Sequence, residues 1–322
     1  MLLLRIGPAD VVAAKGRIQG RVWPTPLLME PGLGTRLGAP VHLKLECWQR
    51  TGSFKVRGAT NAIARLGEPE RRSGVLAVSA GNHAQGVALA AQEAGISALI
   101  VMPKNASRVK VAAVQALGAE VLLLGEDYDE AEAAWPAVAR ETGRHVIHPF
   151  TDPAVIAGQG TVGLEIALER PTLRQVLIPA GGGGLAVGSA IALKAMLPGV
   201  KVYGVQTEAS APLVASYKAG RHIAVQYGPS IADGLHGDTT PEMVALALEH
   251  LDGVLEVTEA ATRRAMRHLF REQRIVTEGS GAVGVAAILE GMVPELETAV
   301  VVSGRNIAPE LFESVLSEVD PT

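Results

Sequence analysis

A lysine at the start of a helix is the residue of this chain best suited to covalent chemistry. Lys55 lies in the run Thr51 to Ala59, directly after a Gly-Ser turn in which Ser53 is a natural N-cap. The helix dipole disfavours an ammonium in the first turn, so this position favours a neutral amine. A neutral amine is the form that attacks a carbonyl compound to give a Schiff base. The alternative, from position alone, is a solvated lysine on an amphipathic helix.

Four consecutive glycines, Gly181 to Gly184, form a candidate anion site. They follow a strand predicted at Gln175 to Pro179 and precede an apolar helix predicted at Leu185 to Leu197. Free backbone N–H groups at such a helix start can bind a phosphate, although a flexible turn is the alternative. No Gly-Lys-Ser/Thr follows, so the run does not indicate a nucleotide-hydrolysing P-loop.

A polar loop, Ser79 to Gly86, follows another predicted strand and opens a helix. Ligands of open α/β sheets bind at the carboxyl ends of strands, so this loop could hold a carboxylate through its N–H groups and Ser79. Asn82 could donate to a ring oxygen. For Ser79 and Asn82 the alternative is helix capping, and the residue type alone favours a packed or capping role for His83.

Two further turns carry polar groups. Ser303 ends a predicted strand, Thr298 to Val302, and its hydroxyl could meet a heteroaromatic nitrogen or make a turn. The run Gly279 to Gly284 matches the dinucleotide fingerprint G-x-G-x-x-G, but the segment before it is helical in pattern and Glu278 would repel a pyrophosphate. We predict instead a helix start packed against the site, with Glu278 facing a cofactor or substrate.

The elements that must position these residues alternate along the chain. Short β-branched runs alternate with alanine-rich helical stretches, which is typical of βαβ units and parallel sheets. We predict an α/β fold of two open, twisted, mostly parallel sheets flanked by helices. A small domain at 73–148 would be inserted into a large domain of 1–72 and 149–322. The predicted strands of the small sheet start at Val75, Ala98, Glu120 and Arg144, with helices at Asn82 to Gly95 and Ser107 to Gly118. Those of the large sheet lie near Val41 to Glu46, Gln175 to Pro179, Lys201 to Val205, Val254 to Val257 and Thr298 to Val302.

Composition limits the classes of partner. The 322 residues are 48% hydrophobic and 19% charged, with a formal net charge of -4, so we expect a small-molecule substrate and no nucleic acid. No segment indicates a signal peptide or a membrane span. The single cysteine, Cys47, suits a reducing compartment, and we predict a cytoplasmic protein. His145 and His148 would point to opposite faces of a strand, so we expect no metal site.

Together these junctions resemble those of the fold type II pyridoxal-phosphate enzymes, which are similar to the tryptophan synthase β subunit. Within that group the chain resembles the threonine/serine dehydratase family, also called threonine ammonia-lyases or threonine deaminases. The likeness covers nearly the whole chain, and the motifs occur in the family's order: Ser53-Phe54-Lys55-Val56-Arg57-Gly58-Ala59, Ser79-Ala80-Gly81-Asn82-His83-Ala84-Gln85-Gly86, Gly181 to Leu185, Thr277-Glu278-Gly279-Ser280-Gly281, and Ser303-Gly304.

The resemblance implies a cofactor and a role for each motif. It implies that Lys55 binds pyridoxal 5'-phosphate covalently and that the catalytic residues are Lys55, Ser303 and Glu278. Phe54 would pack on the ring, Asn82 would bond the ring hydroxyl, and Ser303 would meet the pyridine nitrogen. The cofactor-binding residues would be Phe54, Lys55, Asn82, Gly181, Gly182, Gly183, Gly184, Leu185, Gly234 and Ser303. The substrate-binding residues would be Ser53, Ser79, Ala80, Gly81, Asn82 and His83.

The implied reaction is β-elimination, which converts L-threonine to 2-oxobutyrate and ammonia, and L-serine to pyruvate. The Lys55 amine would take the Cα proton, and a serine rather than an aspartate at the ring nitrogen favours direct elimination. Such a step belongs to amino-acid metabolism and includes isoleucine biosynthesis, with a biosynthetic or catabolic role left open. The alternatives are a hydroxyaspartate lyase, a serine racemase, a β-replacing synthase, or a non-catalytic nucleotide-binding module.

Three positions depart from related patterns. Ala80 stands where racemases carry a second serine, which predicts slow racemisation. Gln206 and Pro212 stand where metal-binding relatives place acidic ligands, and Arg305 replaces a small residue. Because the sequence ends at Thr322, we expect no C-terminal regulatory domain and no control by isoleucine. The family likeness implies a homodimer or homotetramer.

Overall fold

The computed structural model describes residues 5–319. In this range the helices are α1 Pro8–Ile18, α2 Pro31–Leu37, α3 Lys55–Ala64, α4 Glu68–Ser73, α5 Asn82–Ala94, α6 Arg108–Ala116, α7 Tyr128–Thr142, α8 Pro153–Glu169, α9 Gly184–Met196, α10 Pro212–Ala219, α11 Pro241–His250, α12 Glu259–Gln273, α13 Gly279–Leu289 and α14 Pro309–Ser317. The strands are β1 Leu27–Met29, β2 Val41–Lys44, β3 Val75–Val78, β4 Ala98–Met102, β5 Glu120–Leu123, β6 His145–Val146, β7 Gln175–Pro179, β8 Lys201–Thr207, β9 Gly253–Val257 and β10 Thr298–Val301.

The larger of the two sheets has the strand order β1-β2-β10-β7-β8-β9. All of its pairings are parallel except that of β1 with β2, which is antiparallel at one edge. Strands β2, β7 and β10 are buried along their whole length, as expected where helices cover both faces of a parallel sheet. The predicted strands of this sheet are all present, whereas β1 was not predicted because its three residues carry no recognisable alternation.

The smaller sheet is parallel, with the order β5-β4-β3-β6. Its strands begin at Val75, Ala98 and Glu120 as predicted, and at His145, one residue after the predicted position. Two predicted helix ends also agree: Gly95 and Gly118 have φ values of +65° and +79° directly after α5 and the last turn of α6. Two mostly parallel sheets flanked by helices confirm the predicted fold class.

Small residues let the helices beneath the site approach closely. A Cβ at Gly160 would lie 2.6 Å from the carbonyl oxygen of Gly188, so α8 and α9 touch through their backbones. A Cβ at Gly158 would lie 2.6 Å from the Cα of Gly58, which brings α8 equally close to α3. Larger side chains at these positions would push the helices apart and would move the start of α3.

The parallel pairing brings the candidate motifs to one edge. Strands β2, β10 and β7 are neighbours, and the chain leaves their carboxyl ends toward Lys55, Ser303 and Gly181 respectively. Strand β3 of the smaller sheet leads into the loop that begins at Ser79. The sheet order therefore explains why segments far apart in sequence converge. Between residues 5 and 319, no helix is both long enough and apolar enough to cross a membrane.

Candidate active site

Lys55 is the first residue of α3, so it lies in the first turn as the sequence predicts. The prediction that the Ser53 side chain caps this helix is wrong. Ser53 is fully buried, and its Oγ has no hydrogen-bond partner within the described chain. The reason is that the backbone of Ser53 is extended and forms an antiparallel bridge with Gly304, so its hydroxyl does not reach the free N–H groups of the helix.

The turn before Lys55 is fixed by the turn after β10. The N–H of Phe54 donates to the carbonyl oxygen of Ser303 at 3.1 Å, next to the bridge between Ser53 and Gly304. On the other side, a Cβ at Gly86 would lie 3.1 Å from the carbonyl carbon of Lys55, so α5 packs directly on the lysine backbone. The Cα of Lys55 is therefore held from two sides.

The Lys55 amine has few partners. Its Nζ donates to the carbonyl oxygen of Pro149 at 3.3 Å and lies 5.3 Å from the centroid of the Phe54 ring. Burial lowers the pKa of Lys55 to about 8, while the nearby Glu278 acts to raise it. A carbonyl oxygen stabilises an ammonium less than a carboxylate would, so the amine gives up its proton easily.

A buried ion network lies on the far side of the same helix. Arg57 is fully buried, and its guanidinium donates to both oxygens of Glu46 at 2.8 Å and to both oxygens of Glu165 at 2.9 Å. Lys44, also fully buried, reaches Glu165 at 3.0 Å. Two bidentate contacts fix the rotation of α3, because a planar guanidinium fits both carboxylates in only one orientation.

The glycine turn presents unused donors. Within the described chain, the N–H groups of residues 181–184 donate to no protein acceptor, and α9 begins at Gly184. Gly183 has φ +100°, which an L side chain rarely adopts. Buried Gln206 supports the turn: its Nε2 donates to the Gly181 carbonyl oxygen at 3.3 Å, and its Oε1 accepts from the Val214 N–H at 3.0 Å. These free donors at a helix N-terminus form an anion cradle.

Two of the residues predicted to bind the cofactor flank this cradle. Leu185 is buried in the first turn of α9. Gly234 lies in a short 3-10 turn, Asp233–Leu235, and a Cβ at Gly181 would come within 3.5 Å of the Gly234 carbonyl oxygen. A Cβ at Gly234 would in turn lie 2.8 Å from the Oγ of Ser280. The 3-10 turn therefore closes the space between the glycine turn and the start of α13.

The segment after β6 contacts both the lysine and the cradle, and sequence reasoning missed it. Pro149 accepts from Lys55, and the ring of Phe150 packs on Gly182, where a Cβ would lie 2.5 Å from the ring. The ring of His148 meets the Phe150 ring edge-on, with centroids 4.8 Å apart. One signal was available: the segment follows a predicted strand, so it had to emerge at the same edge of the sheet as Ser79.

The loop after β3 also has free donors. Ser79 Oγ accepts from the Gly81 N–H at 3.1 Å, so this hydroxyl shapes the loop itself. In the part of the chain that the structure describes, the N–H groups of Ala80, Asn82 and His83 donate to no protein group. Three such N–H groups at the start of α5 are suited to a carboxylate.

His83 is a packed histidine. It is buried, its Nε2 lies 2.8 Å from the Ile147 carbonyl oxygen, and burial lowers its pKa to about 3. A neutral ring held in this way agrees with the packing role that the residue type favours. Across residues 5–319 no group of three or more His, Cys, Asp or Glu side chains is arranged to hold a metal ion.

Glu278, Asn82 and Asn306 form a chain of side-chain contacts. Asn82 donates from Nδ2 to Glu278 Oε1 at 2.7 Å, and Asn306 donates to Asn82 Oδ1 at 2.6 Å. Glu278 is buried at the start of α13, as expected, and burial raises its pKa to about 8, with Asp233 adding to the rise. A carboxyl group with this pKa is largely protonated at neutral pH.

Ser303 lies between these groups. It is buried, and its Oγ donates to the Ser280 carbonyl oxygen at 3.4 Å, a long contact that the hydroxyl can exchange for a better acceptor. Ser280 Oγ is likewise buried with no partner in the described structure. The structure thus brings Lys55, Ser303 and the glycine turn together at one edge. Arg305 is exposed, and its N–H donates to the Gly52 carbonyl oxygen.

Comparison with known proteins decides the family. A model of the family described as "Pyridoxal-phosphate dependent enzyme" matches residues 18–304, which include every motif above. The chain belongs to this family of pyridoxal-phosphate-dependent enzymes. Fold type II and the cofactor pyridoxal 5'-phosphate, both implied by the sequence resemblance, are confirmed.

Relatives extend over nearly the full chain. An L-threonine ammonia-lyase of Thermotoga maritima is 44% identical over 314 residues, covering 96% of this chain and 78% of that protein. A catabolic L-threonine dehydratase of Escherichia coli K12 is 39% identical over 319 residues, covering 97% of this chain and 96% of that protein.

Solved structures agree with this fold. A threonine deaminase from the organism abbreviated T.th. has a TM-score of 0.87 at 41% identity, covering 94% of this chain and 99% of that one. A serine racemase from maize has a TM-score of 0.92 at 32% identity, covering 96% of both chains.

The residues present fit pyridoxal phosphate. The amine of Lys55 has a lowered pKa, the glycine turn has free N–H donors for a phosphate, and the hydroxyl of Ser280 is buried without a partner in the described chain. Each of these groups lacks a strong protein partner, and each matches one functional group of the cofactor in chemistry.

Proposed function

We propose that this enzyme converts L-threonine to 2-oxobutyrate and ammonia by β-elimination, and L-serine to pyruvate and ammonia. The observation that carries the proposal is a Lys55 amine of lowered pKa held beside a glycine turn with free N–H groups. The threonine-specific names of relatives at 39% and 44% identity support the choice of substrate.

The proposed cofactor site uses the residues predicted from the sequence. Lys55 would hold the cofactor covalently, and the N–H groups of Gly181 to Gly184, with Leu185 and Gly234 beside them, would bind its phosphate. Phe54 would pack on the ring, and Ser303 would donate its hydroxyl to the ring nitrogen. Asn82 would donate one N–H to the ring oxygen, because its other N–H is directed to Glu278.

The proposed substrate site lies at the start of α5. The carboxylate would accept from the N–H groups of Ala80, Asn82 and His83, shaped by the turn of Ser79 and Gly81, with Ser53 buried behind Lys55. The bound cofactor supplies an electron-accepting ring that stabilises negative charge at the substrate Cα. Lys55 would take the Cα proton at its Nζ, which burial keeps near the required pKa.

The remaining steps concern the leaving group. The β-hydroxyl departs with one proton as water, and water then displaces ammonia from the released product, so the net reaction conserves all atoms. Glu278, largely protonated through its raised pKa, would hold a proton next to Asn82 without placing a second negative charge in the site.

The decisive experiment uses the purified protein with added cofactor. The wild type should show a cofactor absorbance band that is lost with a carbonyl reagent, and it should release 2-oxobutyrate and ammonia from L-threonine. Lys55→Ala should lose both the band and the turnover, whereas Lys218→Ala, an exposed lysine of α10, should keep both. A Lys55→Ala protein that retains either property contradicts the assignment.

A substrate panel separates the alternative activities. β-Hydroxyaspartate, L-serine with a thiol, and L- and D-serine test the hydroxyaspartate lyase, the β-replacing synthase and the racemase. Rapid interconversion of L- and D-serine would contradict the expectation from Ala80, which brings no hydroxyl to the substrate. Absence of any cofactor band would instead favour a nucleotide-binding module.

We propose a two-domain organisation, with 73–148 as the small domain and 1–72 with 149–322 as the large one. The four-stranded sheet within 75–146 supports this division. Residues 1–4 and 320–322, at the ends of the proposed large domain, lie outside the described part of the chain. We also propose a cytoplasmic homodimer or homotetramer, which analytical ultracentrifugation and cell fractionation would test; the one cysteine, Cys47, is free and buried, as suits a reducing compartment.

A further inference from the structure

Phe150 occupies a position between the lysine and the phosphate cradle. A Cβ at Gly182 would lie 2.5, 2.5 and 2.6 Å from the ring atoms Cδ1, Cγ and Cδ2, so the glycine backbone lies against the face of the ring. A Cβ at Gly184 would lie 3.1 Å from the Phe150 Cα. Although the ring packs against the core, it stays partly exposed.

The residue before it contacts the reactive amine. Pro149 accepts from Lys55 Nζ at 3.3 Å, so Phe150 is one residue away from the group that the substrate amine must displace. In pyridoxal phosphate, the carbon that bonds to the amine and the arm that carries the phosphate are attached to adjacent ring atoms. A side chain that adjoins both the lysine and the phosphate cradle therefore borders the space where the substrate's Cβ must lie.

The chemistry of the ring limits what it can recognise there. A phenylalanine neither donates to a hydroxyl nor pairs with a carboxylate, but it makes dispersion contacts with a methyl group and excludes water from it. Threonine has a β-methyl group, and serine lacks it.

We propose that Phe150 is a specificity-determining residue that contacts the β-methyl group of the substrate, so that the site prefers β-hydroxy amino acids with an apolar β-substituent. This inference rests on the proposed function and deepens it.

His148 holds the ring in place. Its Nδ1 accepts from the N–H groups of Phe150 at 3.4 Å and Thr151 at 3.2 Å, and the two rings meet at 79°. Its Nε2 lies 3.5 Å from Glu132 on α7. His148 is a positioning residue because it contacts the turn and the ring, while the ring itself adjoins the site.

The test compares two amino acids that lack a β-hydroxyl and cannot be dehydrated. L-2-Aminobutyrate and L-alanine differ by the methyl group in question, and each shifts the cofactor absorbance when it binds the holoenzyme. We expect the wild type to bind L-2-aminobutyrate roughly tenfold more tightly than L-alanine, and Phe150→Ala to remove most of that ratio. Phe270→Ala, which removes a similarly half-buried ring that stacks on Phe312, should keep the wild-type ratio.

Each outcome decides the proposal. A wild type without the preference, or a Phe150→Ala holoenzyme that keeps it, overturns the role of Phe150. If Phe150→Ala does not bind the cofactor, Phe150→Leu is measured instead: a reduced ratio supports the role and an unchanged ratio overturns it. Failure of the wild type to deaminate threonine would refute the proposed function, while the binding ratio would still decide the role of Phe150.

Discussion

Asn306 donates its side-chain amide to Asn82 Oδ1 at 2.6 Å, and this contact fixes the orientation of the Asn82 amide. The same Asn306 nitrogen donates to the Thr51 carbonyl oxygen at 2.7 Å. Since Asn82 Oδ1 is already occupied, its Nδ2 must point the other way, where it meets Glu278. The turn after β10 thus joins the segment before Lys55 to the start of α5 by a single side chain.

Replacement of Asn306 by alanine should release the Asn82 amide. We expect the cofactor to bind about tenfold more weakly, because a lost hydrogen bond that leaves a buried partner unpaired costs about 1–3 kcal/mol. Titration of the cofactor into the apoenzyme, followed by absorbance, measures this change. Asn105→Ala removes an exposed amide and should leave the affinity unaltered; equal affinities for the wild type and Asn306→Ala would contradict the prediction.

The stability of the cofactor-free protein should depend on pH through two buried groups of the site. Glu278 has its pKa raised from 4.5 to about 8, so the folded state holds a proton that the unfolded state has lost, and stability falls as pH rises from 4.5 to 8. Lys55 has its pKa lowered from 10.5 to about 8, so the unfolded state holds the extra proton and stability rises from pH 8 to 10.5. The combined contribution is lowest near pH 8.

Urea unfolding of two variants between pH 5 and 10 separates these limbs. The stability of Glu278→Gln relative to the wild type should increase up to pH 8 and then stay constant. For Lys55→Met the relative stability should be constant below pH 8 and should decrease above it. A difference that does not vary with pH in either variant would show that the group titrates at its ordinary pKa.

The ion network beneath α3 should be important for stability. Arg57→Met leaves Glu46 and Glu165 without their shared guanidinium, and breaking a buried pair in this way costs about 3–5 kcal/mol. Urea unfolding of the holoenzyme measures the loss. Arg72→Met removes an arginine with a side-chain exposure of 75%, paired with exposed Glu68, and should cost less than about 1 kcal/mol. Equal losses in the two variants would contradict a structural role for the network.

The sequence predicts the fold and the glycine turn well because both depend on local signals. Hydrophobic runs and glycine C-caps locate the small-sheet strands to within a residue, and the strand before Gly181 places the cradle at the start of α9. The position of each of these elements is set by residues next to it in the chain.

The contacts that complete the site depend instead on pairs distant in sequence. Phe150 and Gly182 meet because β6 and β7 belong to different sheets whose carboxyl ends face each other, which no local pattern shows. The failure of Ser53 as a cap has the same origin, since its bridge to Gly304 comes from the far end of the chain. Propensity at Ser53 is overridden by this tertiary pairing.

Gln206 should be needed as an amide and not as an acid. Its Oε1 accepts from the Val214 N–H at 3.0 Å, while its Nε2 donates to the Gly181 carbonyl oxygen at 3.3 Å. Gln206→Glu keeps the first contact but turns a charged oxygen toward that carbonyl, which repels the turn and adds negative charge near the expected phosphate. We expect cofactor affinity to fall about tenfold or more in an apoenzyme titration, and added Mg²⁺ to leave the wild-type affinity unchanged. Gln115→Glu places the same charge on an exposed face of α6 and should have no effect; if Gln206→Glu binds the cofactor as tightly as this control, the amide does not support the turn.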